Sequence, residues 1–364
     1  MNRDFIRYYI MNLEEVEIID PLSDARWDSF VQNHPLGTIY QHSSWMKVLA
    51  LTYKHIKPLC FALEDQEHNI RAAISCFIVK SRLTGTRIVS LPFTSYCDPL
   101  VDDKKDLTKL LNRVTKEVEN ASASYYELRP FWNKDLIDDN RLRSHNYHKI
   151  HILDIKDGFE KVKQAFPRDI VKSRKRAIRS GLTIRQGCCE QDLKKFYFMH
   201  ALMRRRLGFP IQPYIFFKNM WEIMYPKGYL TLILAQWNNR TIAGLILFKF
   251  KGIVTYEFGS PIQKHLGKKP NHFLLWNAIE SACSEGYHYF DFGKSPLDNK
   301  GLLDFKGRWG AKMHDLPYFY YPEIKGVMSL EQDKLKHRLL RSIGRHMPLS
   351  VAKIVGRIAY HHLG

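Results

Sequence analysis

The chain has 364 residues, 45% of them hydrophobic and 26% charged, with a formal net charge of +19. That is globular composition sized for about two domains. No run reaches the roughly 18 apolar residues that a membrane-spanning helix needs, and the basicity implies an anionic partner: nucleic acid, a phosphorylated substrate or lipid head groups.

The first residues, MNRDFIRYYIMNLEEVEIID, carry acids inside their apolar stretch and no small-residue cleavage site, so no signal peptide is expected and a domain is expected to start near Met11. His34–Gly37 reads as a turn. Ser43 reads as a helix cap, followed by Trp45 as a core residue and by Lys47.

Residues 58–80 and 229–251 each show an apolar run, a polar turn and a second apolar run opening on a small-residue step, Ala72–Ala73 and Ala243–Gly244. These are hairpin signals. Each is followed by a third strand (RIVSLPF, IVTYEFGSP), a helix (Asp106–Ala121, Asn271–Ser284) and a closing strand (SYYELRP, YHYFDFG). An internal β-β-β-α-β repeat predicts two mixed α/β domains of one design, 11–155 and 156–325, joined near 150–160.

Between the repeats, residues 161–185 hold nine basic side chains, Arg168 and Arg174 among them, against Asp169 alone. This is either an anion-binding surface or a solvated basic face. Tyr256 and Glu257 alternate on the third strand, with Tyr256 read as the wall of a cleft. Lys268 and Lys269 precede Pro270 at a helix start. Proline suits the first turn, and the free N–H groups and dipole there favour an anion, so this is a phosphate site or a solvated loop.

Asp291 is read at the end of its strand, positioned to orient a lysine or take a proton, or else to satisfy backbone N–H groups. In GLLDFKGRWGAK (301–312), Lys306 and Arg308 lie between Phe305 and Trp309. Leu303, Phe305 and Trp309 would share a strand face; Leu302, Phe305 and Trp309 would share a helix face. Either way both aromatics are expected to be buried, with Lys306 held by their frame as a structural partner or as a tool for handling negative charge.

The six cysteines form no CxxC pair, Cys188–Cys189 is too short for an ordinary disulfide or zinc site, and the histidines show no HxxxH or HExxH spacing. Reduced thiols in the cytosol and no metal are expected. Residues 328–364 form a tail. In 334–364 there are seven basic and no acidic side chains. Leu335, Leu339 and Ile343 share one helical face, as do Val351, Ile354, Val355 and Ile358 opposite Ser350, Lys353, Arg357 and His361. This is a basic amphipathic helix, read as docking on an anionic cytoplasmic leaflet or as packing on its own domain.

The hairpin, third strand, phosphate-suited helix start and closing strand resemble the GNAT N-acetyltransferase core. Doubled, with QHSSWMKVL, MRRRLGFPIQPYIFF, YEFGSP, YFDFG and GLLDFKGRWGA in that order, the chain resembles the Fem family. Those enzymes add amino acids from aminoacyl-tRNA to peptidoglycan precursors. It looks still closer to the FemAB-like acyltransferases with a BioF2-like acetyltransferase domain, often linked to exopolysaccharide production. The similarity runs from about Trp27 to Tyr321. It implies that Lys306 acts on the reacting acyl centre, positioned by Phe305 and Trp309, with Arg308 beside it.

It also implies departures. The family's nucleotide-linked acceptor is clamped by a lysine two positions after the equivalent of Lys47, here Leu49, and by an arginine where this chain has Gln212. An acid near the acceptor amine is replaced by Arg129, and aromatic hydroxyls by Phe216 and Phe258. The resemblance therefore implies a different acceptor, phosphorylated or lipid-linked, with Arg129 meeting negative charge and Arg204–Arg206 or Arg168–Arg179 offering another phosphate clamp. No permanently bound cofactor is implied. The donor is acetyl- or acyl-CoA, or aminoacyl-tRNA. QKHLGKKPN (263–271) has the basic character but not the glycine spacing of CoA-binding GNAT enzymes. The expected location is cytoplasmic, at the inner face of the plasma membrane if the tail docks. The competing reading is a non-catalytic nucleic-acid- or lipid-binding module on the same fold.

Overall fold

A computed structural model describes residues 16–323 and 342–363. Among these the chain forms two compact units, the first of residues 16–147, 316–323 and 361–363, the second of 148–315 and 342–360. The division falls at Tyr147/His148, ahead of the expected junction. The first unit also takes back residues 316–323, because strand pairing rather than chain order decides membership.

The first unit runs β1 (Val16–Ile19), α1 (Ala25–Asn33), α2 (Ser43–Thr52), β2 (Ile56–Glu64), β3 (Ile70–Ser81), β4 (Gly85–Val89), α3 (Lys104–Asn120) and β5 (Tyr126–Leu128). β2, β3 and β4 are antiparallel neighbours, and β4 pairs parallel with β5. A parallel pair needs a crossover, and α3 supplies it. Asp103 caps α3 by accepting from the Asp106 N–H, and Leu107, Leu110, Leu111, Val114 and Val118 bury one stripe against the sheet. Phe319–Tyr321, from β12 (Lys312–Tyr321), pair antiparallel with β5. The α2 cap is His42, whose side chain accepts from the Ser44 N–H. Ser43 lies one residue inside, its hydroxyl donating to Asp28. Trp45 is fully buried and Lys47 points to solvent.

The second unit repeats the order. β6 (Arg143–Asp154) brings the chain in. α4 (Phe159–Gln164), α5 (Arg168–Arg179), β7 (Thr183–Gln186), α6 (Glu190–Leu207) and α7 (Tyr214–Met224) follow. Then come β8 (Leu230–Trp237), β9 (Arg240–Phe250), β10 (Ile253–Pro261), α8 (Pro270–Ser284) and β11 (Tyr289–Pro296). β8, β9 and β10 are antiparallel, and β10 pairs parallel with β11 across the α8 crossover. The repeat read from 58–80 and 229–251 is therefore a repeat of hydrogen-bonding pattern.

α9 (Lys300–Gly307) and α10 (Leu349–Tyr360) complete the second unit. α10 does not sit as its hydrophobic pattern suggests. Ala352, Gly356 and Tyr360 face inward, and the Tyr360 hydroxyl receives Arg204 Nη2 at 3.3 Å. A Cβ at Gly356 would fall 2.2 Å from the Ile211 carbonyl oxygen, a backbone atom that cannot rotate away. Gly356→Val is expected to lift α10 and cost about 1–3 kcal/mol, read as a lowered Tm together with faster proteolysis after Pro348. The expected helical face through Leu335 and Leu339 lies outside the described residues.

Candidate active site

The second unit's sheet opens where its parallel pair stops. β10 and β11 share three register positions, ending at Thr255↔Asp291. Just beyond, each strand takes an extra residue against its other neighbour. Glu257 is extra between Tyr256 and Phe258 in the β9 ladder, and β11 slips between Asp291 and Lys294 against β6. A bulge bends its strand and frees backbone groups from the ladder. Two bulges at the same level lie where the parallel pairing ends.

Lys306 occupies the freed position. Its Nζ donates to the Gly293 carbonyl at 2.8 Å and to the Lys294 carbonyl at 3.0 Å. Of the two periodicities compatible with 301–312, the helical one is realised, with Asn299 capping α9 by accepting from the Leu302 N–H. Lys306 is only 4% exposed. Burial lowers its pKa to about 8, and the nearby Asp291 charge works in the opposite direction.

Asp291 is fully buried, and its Oδ1 accepts from the Gly293 N–H at 2.7 Å, holding the turn that aims the carbonyls at Lys306. It lies inside the strand rather than at its end, because β11 continues to Pro296. Trp309 is a core residue, not a substrate wall. It is fully buried, edge-on to Phe166 at 5.4 Å and beside Phe292 and His272. Phe305, expected to be buried, is half-buried against His272 at 5.4 Å. Arg308 is engaged by Asp169 at 2.8 Å and Asp304 at 2.9 Å, tying α9 to the start of α5 rather than waiting for a substrate.

The start of α8 carries the expected proline at its first position, and Lys269 caps it in the left-handed region at φ +61°. Lys268 Nζ lies 4.1 Å from the Trp237 ring centroid. From α5, the Arg174 guanidinium lies 4.5 Å over the Trp276 ring, and Arg176 reaches Gly267. Arg168 is exposed on α5 and Arg206 at the end of α6. Arg204 is committed elsewhere, donating twice to the Pro210 carbonyl, so the Arg204–Arg206 run does not act as one clamp.

Strand alternation fails at Tyr256. The bulge puts Tyr256 with the core on the α8 side and Phe258 on the opposite face with Phe216, Phe217 and His200. The Tyr256 ring folds over Gly259, where an added Cβ would sit 1.9 Å from its hydroxyl, and burial pushes that hydroxyl up to about 12. Gln212 accepts at Oε1 from His200 Nε2 at 2.9 Å, and His200 Nδ1 lies 3.2 Å from Ser260 Oγ. This buried network was not legible in the sequence, where the three residues stand far apart and carry no motif. In the first unit, Arg129 does not offer its charge to a ligand. It is buried, paired with Glu127, bonded to the Leu91 carbonyl and stacked 5.1 Å from the Tyr318 ring.

In the second unit, burial depresses His200 to about 3, and His151 and His272 to about 4. Lys306 adds to the effect at His151 and Lys269 at His272. Their folded pKa values lie below the free value of 6.5. Stability is therefore whole above pH 6.5 and is lost as the pH falls towards 3–4. His200→Asn is expected to flatten the dependence of unfolding free energy on pH by up to about 1.4 kcal/mol per pH unit, checked by urea titrations across that window.

Among the described residues one group has metal-ligand proximity: Cys188, Cys189 and Asp192, within 4.8 Å. Its carboxylate is already held by Arg185 at 2.6 Å and Lys195 at 3.3 Å. Among the same residues no helix is long and apolar enough to cross a membrane.

A mixed sheet whose parallel pair ends at paired bulges, with a helix start and basic side chains nearby, is the layout of a GNAT-type core. Residues 164–306 match the Acetyltransferase (GNAT) domain. The chain is 22% identical over 337 residues to a UDP-N-acetylmuramoylpentapeptide-lysine N(6)-alanyltransferase of Weissella viridescens, covering 86% of this chain and 96% of that one. Its fold is similar to FemX, with TM-score 0.69, 16% identity and coverage of 86% and 99%. It is also similar to L-PGS from Bacillus licheniformis, with TM-score 0.57, 13% identity and coverage of 91% and 99%. The chain is an acyltransferase that carries a GNAT domain and is similar to the Fem-type transferases.

Proposed function

We propose that the chain transfers an acyl or aminoacyl group to a cell-envelope precursor of peptidoglycan or exopolysaccharide type, with Lys306 stabilising the charge that develops. The observation that carries this reading is the Lys306 ammonium, buried where the strands part and fixed by two backbone carbonyls. An ammonium has three N–H donors, and two are taken. The third is available to an oxyanion or to the leaving atom of the donor.

In the reaction, an acceptor amine or hydroxyl attacks the acyl carbon of an ester or thioester. The new C–N or C–O bond forms as the bond to a tRNA 3′-oxygen or a CoA sulfur breaks, and the acceptor's proton ends on the leaving group. Preorganised charge in a dry site stabilises the intermediate, and holding the two reactants in register supplies further acceleration.

Lys268, Lys269, Arg174 and Arg176 around the α8 start support a donor carrying phosphates. The alanyltransferase relative takes a nucleotide-linked pentapeptide by its name. Gln212, tied to His200, and the hydroxyl-free Phe216 and Phe258 favour a different acceptor here, one that is phosphorylated or lipid-linked. A lipid-linked acceptor places the work at the inner face of the plasma membrane. The Fem-type bridge reaction from aminoacyl-tRNA is the second reading, supported by the same relative.

Calorimetric titration with acetyl-CoA and CoA, at salt that screens bare charge attraction, separates the donors. Saturable binding, lost in Lys268→Gln/Lys269→Gln, assigns CoA. No binding assigns aminoacyl-tRNA, and the charged tRNA is then the donor to supply in the transfer assay.

A further inference from the structure

α10 is packed backwards for a surface helix. Its inward side is the small-residue side, Ala352 and Gly356 with Tyr360, and Lys353 lies 5.2 Å from the Tyr197 ring centroid. Val351, Ile354, Val355 and Ile358, spaced i, i+3, i+4, i+7, form one stripe on the opposite side, 41–56% exposed. Ile343, just upstream, is exposed as well. Four branched aliphatic side chains aligned towards water form an apolar face without a partner among the described residues.

The surrounding charge selects what covers it. Arg357 is exposed on the same helix as the stripe, Arg345 is exposed upstream of it, and residues 334–364 contain seven basic and no acidic side chains. A second copy seated on this face would bring like charges together with no carboxylate from this segment to answer them. A segment drawn from 334–341 is basic too. A surface that is both apolar and negatively charged answers both features, and an anionic lipid leaflet is such a surface.

We propose that α10 is a docking helix for an anionic membrane: Val351, Ile354, Val355 and Ile358 enter the boundary between head groups and acyl chains while Arg345 and Arg357 meet the lipid phosphates. The rigid seat of Gly356 against the Ile211 backbone fixes the angle at which the stripe is presented. This surface is separate from Lys306 and does not depend on the donor or acceptor.

The test is flotation of the full-length protein with phosphatidylcholine vesicles and with vesicles of phosphatidylcholine and phosphatidylglycerol, with analytical ultracentrifugation alongside. Binding is expected to the phosphatidylglycerol vesicles only. Arg357→Gln should weaken it about fivefold, the share of one basic residue at the surface. Ile354→Asp should weaken it about tenfold or more, although every basic residue remains. Both side chains are exposed, so each variant should keep the wild-type melting temperature. Equal binding to both vesicle types, no binding to either, or binding unchanged by Ile354→Asp would overturn the proposal. So would a dimer that Ile354→Asp dissociates, which would assign the face to a second copy.

Discussion

Replacing Lys306 by alanine is expected to lower the rate of transfer about 10²–10³-fold, the usual cost of removing one preorganised donor at a developing negative charge. Donor affinity should change little, because the α8 start, Lys268 and Lys269 lie on other elements. If this chain only bound its partner, the same variant would leave its biological effect intact. The charge also makes a second variant informative. Asp291 opposes the lowering of the Lys306 pKa, while its Oδ1 holds the Gly293 N–H. Asp291→Asn keeps an acceptor oxygen at that position but removes the charge. Lys306 should then lose its proton below pH 8, and the alkaline limb of the rate profile should move down with it. Asp291 is thus a positioning residue whose effect appears in the pH profile.

Glu127→Ala in the first unit should cost about 3–5 kcal/mol, the penalty for stranding a buried partner charge. Burial alone would lower the Arg129 pKa. Glu127, with weaker help from Tyr318 and Tyr320, holds it above the ordinary value. The guanidinium also reaches the Leu91 and Thr94 carbonyls. Removing the carboxylate leaves that cation buried without its counter-charge. Chemical denaturation of wild-type and variant measures the loss. A variant as stable as wild type would mean that Arg129 finds another anion, as an acceptor-binding role would require.

The fold was legible because its information is periodic. Two apolar runs around Asp65–Asn69 and two around Asn238–Arg240 each specify a hairpin, and the helix starting near Pro270 is marked by proline and by the switch of period. The start of α8 and the packed, held position of Lys306 were also readable. The bulges were not. Nothing in YEFGSP marks Glu257 as the extra residue, so Tyr256 and Phe258 could not be assigned to opposite faces from alternation. Partner choice was equally hidden. Arg129, Arg204 and Arg308 look like anion ligands in the sequence, and each is committed to a carboxylate or carbonyl that only tertiary packing brings near. α10 shows the same limit: its pattern is plainly amphipathic, yet it packs through Gly356 because only a residue without a Cβ fits against the Ile211 backbone.

The most direct test of Lys306 as the charged group of the reaction is kcat against pH, with donor and acceptor saturating, from about pH 6 to about pH 10. Lys306 stabilises negative charge only while it is protonated, and burial lowers its pKa to about 8. Its contribution is therefore whole below that value and lost as the pH rises through it. A descending limb near pH 8 in the wild type, absent from the residual activity of Lys306→Ala, is the expected result. A rate that holds level through pH 9–10, or a limb that survives in Lys306→Ala, would contradict it.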